Sequence, residues 1–100
     1  MNKQMDFLYI FPDAVKNALS SIINRQILSY KSISEIRFRI NQNPFIILND
    51  KKEIILDNII VSKEIIANII TTATRYSLYA YQDTIRQGFI SLRGGHRLGG

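Results

Sequence analysis

The chain has 100 residues, a formal net charge of +5 and no cysteine. A chain of this length forms one small domain with a single modest core, and the lack of cysteine excludes a disulfide framework and a thiolate metal site. Hydrophobic residues make up 46% and charged residues 21% of the chain, which excludes a disordered composition. The positive charge either attracts nucleic acid, anionic lipid or an acidic protein surface, or serves only solubility.

The N-terminal part of the chain predicts a lead-in followed by one amphipathic helix. The short apolar run 7–11 is neither a signal peptide nor a membrane span. Pro12 suits the first position of a helix and Asp13 suits its first turn. Apolar residues then recur at helical spacing. We therefore predict a helix over residues 12–28.

The segment Glu35–Ile40 alternates strictly between polar and apolar residues. As a strand it packs its apolar residues on helices and places Glu35, Arg37 and Arg39 on the opposite face. That polar face has two interpretations. It is either a solvated face with an ion pair of little energetic weight, or a polar docking surface.

Two further strands and a second helix follow. Residues 45–48 and 53–56 are apolar and flank the polar turn 49–52, which completes a three-stranded antiparallel meander. Ser62 is placed to cap the next helix, with Glu64 in its first turn. The isoleucines of this helix form an apolar stripe, so we expect that face to be buried.

The remaining elements are a third helix and another strand. Ser77 is the predicted cap of this helix, Arg86 lies in its last turn, and Gly88 is at the terminating position. A strand over residues 89–93 follows. The order of elements indicates an α+β fold, in which three helices pack mainly on one face of an antiparallel sheet of four to five strands.

The C-terminal run of glycines and arginines has two interpretations. Gly94 and Gly95 predict a two-residue hairpin turn, after which His96 and Arg97 begin a return strand. Glycines beside Arg93 and Arg97 also suit a backbone nest for phosphate. The hairpin is the simpler of the two, because a glycine pair is a common turn signal.

Enzyme motifs are absent from the sequence. It contains neither a G-x-x-x-x-G-K-[ST] P-loop nor a G-x-S-x-G elbow. His96 has no neighbouring carboxylate to orient it, so we predict no catalytic residue. A basic module that binds nucleic acid is the alternative function, although no reader motif is present and the aromatic residues fall mostly at core positions. An independent enzyme ranks third.

Three groups of residues occur in a characteristic order: Glu35-Ile36-Arg37-x-Arg39 with Pro44, then Ser77-x-Tyr79, then Arg86-x-Gly88-Phe89-Ile90-x-x-x-Gly94-Gly95-His96-Arg97-x-Gly99. This order resembles the N-terminal part of the stage III sporulation protein AA family. The resemblance covers residues 12–99, and residues 88–99 are its most specific part. Ser91 and Leu98 depart mildly from the threonine and valine expected there.

That family is similar to the secretion-type ATPases of type II and type IV secretion and of pilus motors. The resemblance implies an N-terminal domain followed by a P-loop ATPase domain, in a hexameric ring on the cytosolic face of a channel between mother cell and forespore. Residues 1–100 are then one non-catalytic domain without a cofactor, and ATP and magnesium belong to the missing ATPase domain. We expect this chain to be a fragment of a longer protein. A stop codon directly after Gly100 in the gene would contradict that expectation.

The resemblance also implies partners and a location. The expected partners are the protein's own ATPase domain, neighbouring subunits and membrane channel proteins of the sporulation complex, with nucleic acid disfavoured. The expected location is cytoplasmic, at the mother-cell side of the membrane. The candidate contact residues are Glu35, Arg37, Arg39, Arg86, Arg93, His96 and Arg97, and the candidate turn glycines are Gly88, Gly94 and Gly95.

Overall fold

The computed structural model describes residues 10–25, 32–74, 81–93 and, for the backbone alone, 26 and 97–99. The helices are α1 (Asp13–Gln26), α2 (Lys63–Thr74) and α3 (Gln82–Gln87). The strands are β1 (Ile33–Arg39), β2 (Phe45–Leu48), β3 (Glu53–Ile55), β4 (Phe89–Arg93) and β5 (Arg97–Gly99).

The five strands form one sheet in the order β3-β2-β1-β4-β5. Every neighbouring pair is antiparallel. The central strand is β1, which pairs with β2 on one side and with β4 on the other. Strands β1 to β3 are the predicted meander, and α2 and α3 carry the chain from β3 back to the far side of β1. The predicted α+β fold with an antiparallel sheet is confirmed.

The beginning of β1 contains a β-bulge that the alternation of the sequence does not predict. Ile33 pairs with Leu48. The next pair along the ladder joins Glu35 to Ile47, which leaves Ser34 as the extra residue. The bulge shifts the alternation of inward and outward side chains along β1 by one position, and Ile33 is therefore buried. The strand therefore begins before its predicted start at Glu35.

One hydrophobic core lies between the helices and one face of the sheet. Its fully buried members include Val15, Leu19, Ile36, Phe38, Ile46, Ile66, Ile69, Ile70, Ile90 and Leu92. The ring of Phe11, just before α1, lies 5.8 Å from the ring of Phe38 in β1. The helices thus pack on one face of the sheet, as predicted, and burial of this apolar surface is the main force that holds the two layers together.

The first helix begins one residue later than predicted, at Asp13, and the second begins directly after its predicted cap. The N–H of Lys16 donates to the Pro12 carbonyl (2.9 Å), which closes the first turn of α1. The Ser62 hydroxyl accepts a hydrogen bond from the Ile65 N–H (3.2 Å), so the predicted cap of α2 is confirmed. The last two predicted residues of the first helix lie outside the described ranges. Within those ranges no helix is long and apolar enough to cross a membrane.

Helix α3 leads directly into β4 through a glycine. Tyr81 is at its N-cap position and makes no capping bond with its side chain, and the predicted cap Ser77 lies outside the described residues. Gly88 ends the helix with φ of 73°. Its N–H points back to two carbonyls of the last turn, each at 3.1 Å. This left-handed C-cap turns the chain into β4.

The connection between β4 and β5 differs from the predicted two-residue turn. Arg93 pairs with Arg97, so three residues, 94–96, separate the two strands. The return strand begins at Arg97 and not at the predicted His96. The prediction was wrong because the pairing register fixes the length of a hairpin loop, and a glycine pair alone does not. Residues 94–96 themselves lie outside the described ranges.

We expect Gly88→Ala to destabilise the domain. A Cβ at this position would lie 3.0 Å from Cδ1 of Ile40, and a left-handed conformation costs a non-glycine residue about 1–2 kcal/mol. Urea unfolding should therefore show a loss of at least about 1 kcal/mol. Gly88→Asn is the matched variant, since asparagine tolerates positive φ, and it should lose less. Equal stability of the wild type and Gly88→Ala would contradict this role of Gly88.

An arginine face on the outer side of the sheet

The side of the sheet opposite the helices carries the candidate functional site, which we call the arginine face. Its members are Glu35, Arg37 and Arg39 of β1, Phe45 and Ile47 of β2, Glu53 and Ile55 of β3, and Phe89, Ser91 and Arg93 of β4. The register brings these residues side by side across the strands. The bulge and the strict alternation of β1 determine which residues reach this face.

Glu35 is the centre of the charged part of the arginine face. Its carboxylate accepts a hydrogen bond from Arg37 Nε at 2.6 Å, and Arg93 Nε lies 4.0 Å from its other oxygen. The Glu35 side chain is only 13% exposed. One carboxylate therefore hydrogen-bonds an arginine of its own strand and lies within ion-pair distance of an arginine of the neighbouring strand. Because the group is largely withdrawn from water, this interaction is stronger than an ordinary surface ion pair.

Two of the arginines also lie over aromatic rings. The guanidinium carbon of Arg39 is 4.8 Å from the centre of the Phe89 ring, its cross-strand partner. The corresponding distance from Arg37 to the Phe45 ring is 5.9 Å. Both distances are in the range of cation–π attraction. The rings therefore restrict the arginines, and the sequence did not reveal this because it does not state which strands pair.

An apolar patch adjoins the arginines at the β3 edge of the sheet. Phe45 and Ile47 are half-buried, and Ile55, which pairs with Phe45, is 59% exposed. The sequence marks all three as strand residues but does not place them on the outer face. Ile55 is thus an exposed large apolar side chain next to two half-buried ones on this face.

The remaining predicted site residues have other positions. Arg86 lies on α3 and forms an exposed ion pair of 2.9 Å with Asp83 of the same helix. The backbone of Arg97 lies opposite Arg93. His96, Gly94 and Gly95 lie outside the described residues. The structure therefore brings Glu35, Arg37, Arg39 and Arg93 together, and it gives Arg86 a partner elsewhere.

The chemistry available on the arginine face is anion recognition. Guanidinium groups present planar forks of N–H donors that match carboxylates and phosphates. In the part of the chain that the structure describes, no three His, Cys, Asp or Glu side chains are grouped so as to hold a metal ion. Ser91 lies opposite Arg37 and is buried, with 4% exposure. The arginine face therefore offers guanidinium donors to an anionic group.

We expect Glu35→Gln to lower the free energy of unfolding by about 1–2 kcal/mol, because it removes the charge that Arg37 and Arg93 share. Asp50→Asn is the matched control. Asp50 forms an exposed ion pair of 3.8 Å with Lys52, and the asparagine keeps an acceptor for the Lys52 N–H. This control should change stability by less than about 0.5 kcal/mol. Equal effects of the two substitutions in urea unfolding would show that Glu35 is an ordinary surface carboxylate.

Comparison with known proteins identifies the family of this chain. The family model described as "Sporulation stage III, protein AA" matches residues 2–100. Stage III sporulation protein AA of Bacillus subtilis (strain 168) is 31% identical over 90 residues, which cover 90% of this chain and 28% of that relative. No solved structure matches the chain at a significant level. The chain thus spans little more than a quarter of its relative, and it belongs to the stage III sporulation protein AA family.

Proposed function

We propose that this chain is the non-catalytic N-terminal domain of a secretion-type ATPase that serves sporulation. Membership of the sporulation family supports the biological process. The chain covers 28% of its relative and has no P-loop motif. Both facts support a division of labour between this non-catalytic domain and an ATPase domain in the rest of the protein. In this proposal ATP and magnesium bind the remaining part of the protein, which forms a hexameric ring at the mother-cell side of a channel to the forespore.

Within this assembly we assign the arginine face to contacts with the ATPase domain or a neighbouring subunit. The observation that carries the assignment is Glu35, which is hydrogen-bonded to Arg37 and within ion-pair distance of Arg93 on the side of the sheet where none of the described helices packs. Side chains fixed in this way lose less entropy when a partner binds. The adjoining exposed Ile55 offers apolar area to the same partner.

The alternative function is nucleic-acid binding, which the net charge of +5 favours. Single-stranded nucleic acid is usually held by bases stacked on open aromatic rings. On the arginine face, the guanidinium group of Arg39 lies over the Phe89 ring. This arrangement favours a protein partner over stacked bases.

Charge reversal tests the assembly role. We expect Arg37→Glu/Arg39→Glu in the full-length protein to reduce ring assembly by at least about tenfold, because the reversed charges repel the same partner. Assembly is measured by native mass spectrometry, and sporulation by spore counts. Lys16→Glu/Lys63→Glu changes the net charge equally on the helical layer and should assemble normally. Normal rings and normal sporulation in the Arg37/Arg39 variant would contradict the assembly role.

Nucleotide turnover tests the division of labour. We expect the 100-residue chain to release no phosphate from ATP in the presence of magnesium, because it lacks the loop that cradles the phosphates. The full-length protein under the same conditions should hydrolyse ATP. Hydrolysis by the isolated chain, or none by the full-length protein, would contradict the proposal.

A further inference from the structure

The arginine face is amphipathic in a defined direction. Arg37, Arg39 and Arg93 lie on the two strands at one side, β1 and β4. Phe45, Ile47 and Ile55 lie on β2 and β3 at the other side, together with the exposed carboxylate of Glu53. A row of paired residues, from Ile55 through Phe45 to Arg37, crosses from the apolar half to the basic half. A partner that covers the face therefore has to match both halves at once.

The charges of the face call for an acidic partner. Of the two carboxylates on the face, Glu35 is already engaged by Arg37 and Arg93, and Glu53 lies on β3, which β2 separates from the arginine strands. Among the described residues, no carboxylate forms an ion pair with Arg39. Each guanidinium carries five N–H donors, so the donors outnumber the acceptors that the face itself supplies. Carboxylates of a partner are the complementary groups.

A second copy of the same face is a poor partner. In a symmetric dimer the same patch of each protomer meets itself, and the arginines of the two copies would lie close together. Juxtaposed like charges strongly disfavour such a contact. A nucleic-acid backbone is also a poor partner for this face. It offers no apolar surface to the exposed Ile55, which is 59% accessible, or to the half-buried Ile47.

From these observations we propose that the arginine face binds an acidic amphipathic helix of a partner protein. A helix is the element that most simply covers a sheet face on which none of the described helices packs, because it adds a second layer there. Its apolar stripe would cover Phe45, Ile47 and Ile55, and its acidic flank would lie along β1 and β4. This inference rests on the proposed assembly role and adds the chemistry of the partner.

The spacing of the arginines restricts the sequence of that helix. Arg39 pairs with Phe89, and Arg93 follows Phe89 by four positions on β4. At about 3.3 Å per residue, Arg39 and Arg93 are separated by roughly 13 Å along the strands. Two to three helical turns of about 5.4 Å span that distance. The partner helix should therefore carry carboxylates on one flank at least two turns apart.

The test uses the 100-residue chain and two synthetic peptide probes. Each probe is a labelled amphipathic helix of about 18 residues with a leucine and alanine stripe. One carries glutamates and the other lysines on the flank. Fluorescence anisotropy should show at least about tenfold tighter binding of the glutamate peptide. An oligothymidylate and phosphatidylserine vesicles are tested as competitors at the same salt concentration.

Variants localise the binding. Arg39→Gln/Arg93→Gln removes charge without reversing it, leaves the hydrogen bond between Arg37 and Glu35 in place, and should weaken binding of the glutamate peptide by at least about tenfold. Ile55→Ser should weaken it several-fold through lost apolar contact. Lys16→Gln/Lys63→Gln should bind as the wild type does. Circular dichroism is recorded for each variant to confirm that it is folded.

The outcomes separate this inference from the proposed function. The inference of an acidic helix is overturned if the two peptides bind equally. It is also overturned if the Arg39→Gln/Arg93→Gln variant still binds the glutamate peptide as the wild type does. Direct binding of the chain to oligothymidylate or to the vesicles, with no binding of the glutamate peptide, overturns it in favour of nucleic acid or lipid. If neither peptide binds but Arg37→Glu/Arg39→Glu still disrupts the ring, the inference fails and the assembly role stands.

Discussion

The structure depends on a single constraint on β1, the central strand. Ile36 and Phe38 must be buried against the helices, while Glu35, Arg37 and Arg39 must stay on the opposite face. A shift of one residue in the pairing would exchange the two faces and bury the arginines. Burial of unpaired charge is far more costly than the loss of one ladder bond. The register of the whole sheet is therefore fixed by the same strand that supplies the charged site.

The charged site in turn is organised by Glu35 and by two rings. Arg37 and Arg93 are held by one largely buried carboxylate, and Arg39 lies over Phe89. An ordinary surface pair, such as Arg86 with Asp83, is exposed on both sides and contributes little. Burial of the Glu35 carboxylate is therefore what distinguishes the arginine face from an ordinary solvated surface.

The sequence predicted elements well where the signal was local. Strict alternation correctly predicted that Glu35 lies on the face opposite the helices. The capping signal correctly predicted Ser62 at the start of α2. The bulge at Ser34 was missed because it becomes visible only when β1 is paired with β2. The length of the β4–β5 connection and the rings under the arginines were missed for the same reason. Each depends on which residue of a distant strand lies opposite, and a single sequence does not contain that information.

Arginine protection is the most direct measurement of the central claim that the arginine face is covered in the assembled protein. Phenylglyoxal modifies accessible arginines, and mass spectrometry reports the modified fraction at each position. We predict that Arg39 and Arg93 are modified in the isolated chain and protected in the full-length assembly, while exposed Arg25 of α1 reacts equally in both. Equal modification of Arg39 and Arg93 in the two states would contradict the claim.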